Sequence, residues 1–217
     1  MIFPVKQKIF LEPSLLVLKP GKLREKRLTF NHLLSSRVPI QKNKYFLNLG
    51  CSHANSYNIP LELSYPYLLA KKLNLGYLDL SHSRTSLEYS DFCLNSTDFR
   101  KCEFVLWQLT YPWRKHDFTA TNREDARLDN YENITLQESF LRFARIVNKY
   151  KDENIYFIFI HQEYVEKYIK QLVSISNKVY PHNINFIDKG CDSNHGGVES
   201  QKLIARLLFD FIKNHDS

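Results

Sequence analysis

The sequence predicts an α/β protein, a three-layer α/β/α sandwich in which a five-stranded parallel sheet lies between two layers of helices. From residue 44 onward, short apolar runs with the length of buried strands alternate with segments of helical periodicity. The chain has 217 residues, of which 43% are hydrophobic, and this is enough apolar material for the core of one domain. Strands that are joined through helices pair in parallel by right-handed crossovers, so we expect the sheet to be buried on both faces.

The predicted strands are short apolar runs that end close to polar or turn-forming residues. The first, Tyr45–Leu49, is followed directly by Gly50. The other four runs are 76–80, 104–109, 155–160 and 184–187.

Helical periodicity occupies most of the chain between these strands. Ser64 is predicted to cap a helix at 64–73, in which Pro66 lies in the first turn, where its missing N–H costs no hydrogen bond. Apolar stripes at helical spacing predict further helices at 136–150, 163–175 and 198–212.

Two segments lack sustained periodicity. Residues 1–43 contain proline breaks and a basic run, which predicts an irregular N-terminal extension packed on a domain formed by residues 44–217. Residues 111–133 predict a long loop after the third strand. Because ligands bind beyond the carboxyl ends of strands in open parallel sheets, this loop is either a lid or substrate wall, or a surface insertion without ligand contact.

Charge and cysteine content limit the classes of partner and compartment. The net charge is +7, but the basic residues are scattered apart from residues 19–27, which favours a solvated surface over binding to nucleic acid. No apolar run approaches the roughly 18 residues of a membrane-spanning helix. The four cysteines form no CxxC pair and no secretory signal is evident, so we expect reduced thiols and a cytoplasmic protein.

The first chemically suggestive segment, residues 50–53, follows the first predicted strand. Gly50 permits a tight turn that would present the Ser52 hydroxyl at the sheet edge, close to backbone N–H groups. This placement suits a nucleophile. Ser52 as an ordinary turn or cap serine is the alternative interpretation of the same pattern.

The second segment, residues 192–195, precedes the last predicted helix. Asp192 lies three residues before His195, and in a turn this spacing lets the carboxylate bind one ring nitrogen while the other acts as a general base. A serine hydroxyl needs such a base at neutral pH. The pair therefore complements Ser52.

Other uses of these residues remain open in the sequence. Cys51 could replace Ser52 as the nucleophile, since a thiolate would also pair with His195. Cys51, His53, Cys191 and His195 could in principle bind Zn²⁺, but a ligand pair separated by one residue is an awkward chelate, so we expect no metal. His53, His82 and His161 also lie near predicted strand ends and are expected to be bystanders.

These two segments resemble blocks of the SGNH/GDSL hydrolases, which carry Gly-Asp-Ser after the first strand and Asp-x-x-His near the C-terminus. The resemblance extends over roughly residues 44–212, with Cys51 where the family has Asp. It implies a flavodoxin-like sheet, with Ser52 as nucleophile, His195 as base and Asp192 as its orienting partner. It implies no cofactor.

The middle blocks of the family supply oxyanion-binding groups, and here this sequence departs from the family pattern. Residues 79–86 lack the Gly that follows the second strand in the family, and residues 108–114 lack the Asn that follows the third. We therefore expect the oxyanion and the substrate to be bound by other groups. The candidates are the Ser52 backbone, Ser81, Arg84, Thr110 and Arg114.

The resemblance implies a serine esterase that hydrolyses small O-acyl esters, acetyl esters in particular, on a carbohydrate or similar substrate. The aromatic and basic residues at 111–115 favour a sugar or an anionic glycan. Two alternatives remain: an acyltransferase that uses the same triad on a glycan acceptor, and a binding protein that has kept the fold without catalysis. The oligomeric state is not predicted.

Overall fold

The computed structural model describes residues 42–56, 58–116, 127–128 and 134–215. The strands are β1 (Tyr45–Leu49), β2 (Gly76–Asp79), β3 (Val105–Gln108), β4 (Lys115–His116), β5 (Arg127–Leu128), β6 (Ile155–Ile160) and β7 (Val179–Ile184). The helices are α1 (Tyr65–Leu73), α2 (Leu87–Ser96), α3 (Leu136–Lys149), α4 (Glu166–Ile175) and α5 (Val198–His215).

The main sheet has five parallel strands in the order β2-β1-β3-β6-β7, which confirms the predicted class. The chain leaves β1 toward β2 on one side and returns to pair β3 on the other side. The connections therefore reverse direction between β1 and β3. In open α/β sheets the ligand crevice lies beyond the carboxyl ends of the strands at such a reversal, which here follows Leu49 and Gln108.

Apolar side chains cover both faces of the sheet, and this produces the three layers. On one face, α2, α3 and α4 pack against strand residues such as Leu47, Trp107 and Phe157. On the other face, α1 and α5 pack against residues such as Phe46, Leu106 and Ile158. All six residues of β6 are buried, as a strand covered on both sides requires.

The fifth strand was predicted wrongly at 184–187, because the structure places it at Val179–Ile184. Pro181 and the exposed His182 interrupt the apolar pattern of this segment. Both are tolerated because β7 is an edge strand, where a missing backbone N–H need not break the sheet. The apolar residues after Ile184 belong to the loop that leads to α5.

One helix is not predicted by periodicity, and for another helix the predicted side-chain cap does not form. Helix α2 contains Ser, Asp and Asn, which have low helix propensity, and the Ser86 hydroxyl caps it by accepting from the Tyr89 N–H. Ser64 precedes α1 with Pro66 in the first turn, but its hydroxyl donates to the Leu61 carbonyl instead of capping.

The predicted N-terminal extension lies outside the described residues except for Lys42 and Asn43. Within the predicted loop 111–133, β4 and β5 form a two-stranded antiparallel pair, and much of the remainder lies outside the described ranges. None of the helices in the described part of the chain combines the length and the apolarity needed to cross a bilayer.

Candidate active site

The chain turns sharply at Gly50, directly after β1. Gly50 has φ of 140°, and a Cβ at this position would lie 2.7 Å from Gln108 Oε1 and 2.8 Å from the Ala54 Cβ. Its carbonyl accepts hydrogen bonds from the His82 N–H at 2.9 Å and the Thr85 hydroxyl at 2.8 Å. The turn therefore requires glycine, and it is tied to the segment that follows β2.

Replacing Gly50 with alanine is expected to destabilise the protein by about 3 kcal/mol, because a disfavoured φ and a steric clash add together. Chemical denaturation of the parent and of Gly50→Ala measures this difference. A loss below about 1 kcal/mol, the effect of an ordinary point substitution, would contradict the close approach of Gln108.

Cys51 and Ser52 differ in their exposure to solvent. Cys51 is completely buried, with its N–H 3.0 Å and its thiol 3.3 Å from Gln108 Oε1. Ser52 keeps 7% of its surface exposed. The thiol is directed into the core, which argues against Cys51 as the nucleophile.

Asp192 and His195 form a hydrogen-bonded pair in the loop before α5. His195 Nδ1 donates to Asp192 Oδ2 at 2.6 Å, so its Nε2 is directed away from the carboxylate. The loop is held by the Gly190 N–H, which donates to the His195 carbonyl at 2.7 Å, and by the left-handed backbone of Ser193. This is the orientation that a general-base histidine needs.

The Asp192 carboxylate accepts three further hydrogen bonds. The N–H groups of Asn194 and His195 donate to Oδ1, each at 3.1 Å, and the Asn58 side chain donates to Oδ2 at 3.0 Å. Burial acts to raise the pKa of Asp192, but hydrogen bonds from the His195 ring and from the two backbone N–H groups outweigh it and lower the pKa to about 2. The carboxyl is therefore ionised at neutral pH.

His53 lies between the turn at Gly50 and this pair. Its ring centroid lies 5.0 Å from that of His195, 5.3 Å from Phe186 and 6.3 Å from His161. Burial lowers the pKa of His53 to about 3, and His195 and Arg114 add to the effect. His53 is therefore neutral in the working pH range.

The structure brings His195 close to the residue that follows Ser52. A hydrogen bond between the Ser52 hydroxyl and the His195 ring is the contact that a serine mechanism requires, and without substrate such catalytic bonds are often long and tighten only in the complex.

The residues that we expected to bind the oxyanion differ in how their polar groups are used within the protein. The N–H and the hydroxyl of Ser81 both donate to the buried Asp79 carboxylate, so neither is directed at a substrate. Arg84 is exposed and has φ of 61°, at the third position of the turn from His82 to Thr85. A type II turn favours Gly at this third position. The turn after β2 therefore forms with Arg84 at the position that Gly would favour.

Thr110 and Arg114 act as one unit. The Thr110 hydroxyl donates to the Thr85 carbonyl at 3.2 Å and accepts from the Arg114 guanidinium at 3.2 Å. Its hydrogen is therefore committed to the backbone in this conformation. Arg114 is held near His53, whose pKa it affects.

An aromatic cluster combines two residues that follow β3 with one that follows β6. Tyr111, Trp113 and Tyr164 lie with ring centroids 4.9 to 6.3 Å apart, and the Arg114 guanidinium lies 4.5 Å from the centre of the Tyr111 ring. These rings are partly exposed, so they form a surface beside the site.

Two contributors to the site were missed in the sequence. Gln108 supports the Gly50 turn, and its signal was a polar residue at the end of a buried apolar strand. Asn58 holds Asp192 from a polar loop that carries no distinguishing pattern. The described residues contain no cluster of His, Cys, Asp and Glu suited to a metal.

Comparison with solved structures identifies the fold. A family two carbohydrate esterase from Clostridium thermocellum, in complex with cellohexaose, matches with a TM-score of 0.55 at 16% identity, over 82% of this chain and 66% of that one. TesA matches with a TM-score of 0.53 at 12% identity, over 79% and 99% of the two chains. A member of the lipolytic protein G-D-S-L family from Veillonella parvula DSM 2008 matches at 0.51 and 10%, over 77% and 97%.

The chain therefore has the SGNH/GDSL hydrolase fold, and the part that matches spans about two thirds of the length of the carbohydrate esterase. No protein-family model matches the sequence, and a search of curated proteins finds no match.

Proposed function

We propose that the chain is a serine ester hydrolase that removes small O-acyl groups, acetyl in particular, from a carbohydrate or similar polyol. The observation that carries the proposal is the Asp192–His195 pair, bonded at 2.6 Å. The His195 ring lies 5.0 Å from that of His53, which directly follows Ser52. A fold whose solved members include esterases supports the same chemistry.

In this mechanism His195 Nε2 takes the Ser52 proton while Oγ attacks the ester carbonyl carbon. The carbonyl π electrons move to oxygen, and a tetrahedral oxyanion forms. When it collapses, the bond to the alcohol breaks and His195 gives the proton to the leaving oxygen. Water then repeats the sequence on the acyl-serine, with Asp192 stabilising the imidazolium in both halves.

For the oxyanion we propose the Ser52 backbone N–H together with the Arg114 guanidinium. Ser81 and Thr110 already use their hydrogens within the protein, whereas Arg114 has five N–H donors and uses one on Thr110. Its positive charge also offsets the negative charge that develops on oxygen. Thr110 thus acts by positioning Arg114.

Arg114→Met is expected to lower kcat by about 10²-fold, the effect of losing one oxyanion donor. Arg114→Lys should recover part of the loss because it keeps the charge. The measurement is p-nitrophenyl acetate turnover at saturation, with Arg100→Met, which removes a surface ion pair to Glu153, as the control. If Arg114→Met turns over like the control, Arg114 is not the donor.

The proposed substrate class rests on the aromatic cluster. Sugar rings stack on aromatic faces, and Tyr111, Trp113 and Tyr164 present partly exposed rings next to Arg114. The Trp113 indole N–H is buried and has no hydrogen-bond partner within the described residues. The carbohydrate bound in a structural neighbour is consistent with this choice.

The decisive experiment is labelling with a fluorophosphonate, followed by mapping of the modified peptide. We expect one adduct, on Ser52, that is lost in His195→Ala. An adduct elsewhere, or none, would contradict the proposal. Absence of labelling would favour a binding protein, a function that the internal commitment of the Ser81 and Thr110 donors also permits.

A further inference from the structure

His53 does not have the environment of a histidine held by the protein's own polar groups. It is 8% exposed, and its Nδ1 has no hydrogen-bond partner among the described residues. Buried polar atoms in folded proteins are nearly always paired, so an unpaired one calls for an explanation. Its expected status as a bystander does not supply one.

The surroundings of His53 place it inside the proposed site. Its ring packs edge-on against Phe186 and beside His195, whose centroid is 5.0 Å away. Arg114, the proposed oxyanion donor, is near enough to affect it electrostatically. His53 thus lies among the groups that would surround a bound ester.

We infer that His53 binds the alcohol portion of the ester by a hydrogen bond from its imidazole, an inference that rests on the function proposed above. His195 must give its proton to the leaving oxygen, so the alcohol lies within about 3 Å of the His195 ring. The His53 ring lies beside the His195 ring and therefore contacts the same part of the substrate. His53 therefore distinguishes alcohols by the hydroxyl groups next to the ester oxygen.

The neutrality of His53 makes it suited to this position. His195 becomes an imidazolium when it takes the Ser52 proton, and a second cation beside it would oppose that step. Burial, with contributions from His195, Arg114 and His161, keeps the pKa of His53 near 3, although Asp192 acts in the opposite direction. The ring can therefore form a hydrogen bond without adding charge.

The test compares two acetate esters that share an acyl group and differ in the alcohol: 3-O-acetylglucose, whose ester-bearing carbon lies between two hydroxyl-bearing carbons, and p-nitrophenyl acetate, which carries no hydroxyl. We expect His53→Leu to lower kcat/KM for the sugar ester by about 10-fold, the effect of one lost hydrogen bond, and to change the aryl ester little. His53→Gln, which keeps a neutral donor, should restore most of the loss. His215→Leu, an exposed histidine at the end of α5, is the matched control.

The outcomes separate this inference from the proposed function. Ser52-dependent turnover of both esters, with His53→Leu reducing them equally or not at all, overturns the role of His53 alone. Absence of Ser52-dependent turnover in the parent overturns both proposals. Thermal unfolding of each variant reports on folding, and His53→Met, which also cannot donate, replaces the leucine variant should that protein unfold.

Discussion

Replacing Ser52 with alanine is expected to lower kcat for p-nitrophenyl acetate by about 10⁵-fold, because no acyl-enzyme can form without the nucleophile. The residual rate would come from binding and from the oxyanion donors. Steady-state turnover measures the loss, and intact-mass analysis after mixing with substrate shows whether the acyl adduct has disappeared.

Ser64→Ala is the matched control for this substitution. Ser64 is also buried and carries a hydroxyl, but that hydroxyl donates to the Leu61 carbonyl at the start of α1. Turnover near that of the parent in Ser64→Ala, together with inactive Ser52→Ala, would attribute the chemistry to one hydroxyl. Equal activity in Ser52→Ala and the parent would remove the serine mechanism.

The fold was predictable because its strands are fully buried and therefore read as apolar runs. Segments 155–160 and 45–49 contain almost only apolar residues, and the structure has strands at both. The edge strand was misplaced because burial on one side tolerates Pro181 and His182, which break the run. Helix α2 was missed because its packing, and not its propensity, stabilises it.

The contacts of the candidate site were predictable where the two partners are close in sequence and unpredictable where they are distant. Asp192 and His195 are three residues apart, so a turn suffices to join them. The bonds from Asn58 to Asp192 and from Cys51 to Gln108 join residues 134 and 57 positions apart. Only the folded chain specifies such contacts, and for the same reason the sequence could not indicate that Ser81 and Thr110 use their donors internally.

Replacing Asp192 with asparagine is expected to lower kcat by about 10⁴-fold while leaving the fold intact. The amide can still contact the ring, but it no longer favours the tautomer with a proton on Nδ1, and it does not stabilise the imidazolium that forms during transfer. Turnover at saturating p-nitrophenyl acetate measures the loss. Asp91→Asn, which alters a carboxylate bonded to Lys149 and Tyr150 outside the proposed site, is the matched control and should stay near the parent.

Acid unfolding gives the same variant a second readout that does not depend on catalysis. The native pKa of Asp192 is lowered from 3.8 to about 2, so its ionised form stabilises the folded protein above pH 3.8, and this stabilisation is lost as the pH falls toward 2. The free energy of unfolding of the parent should therefore fall more steeply over this range than that of Asp192→Asn. Parallel unfolding curves would mean that the Asp192 carboxylate does not accept the four hydrogen bonds. Full activity of Asp192→Asn would show that Asp192 does not orient His195. Loss of activity together with a flattened acid curve is the combination that an ionised orienting carboxylate requires.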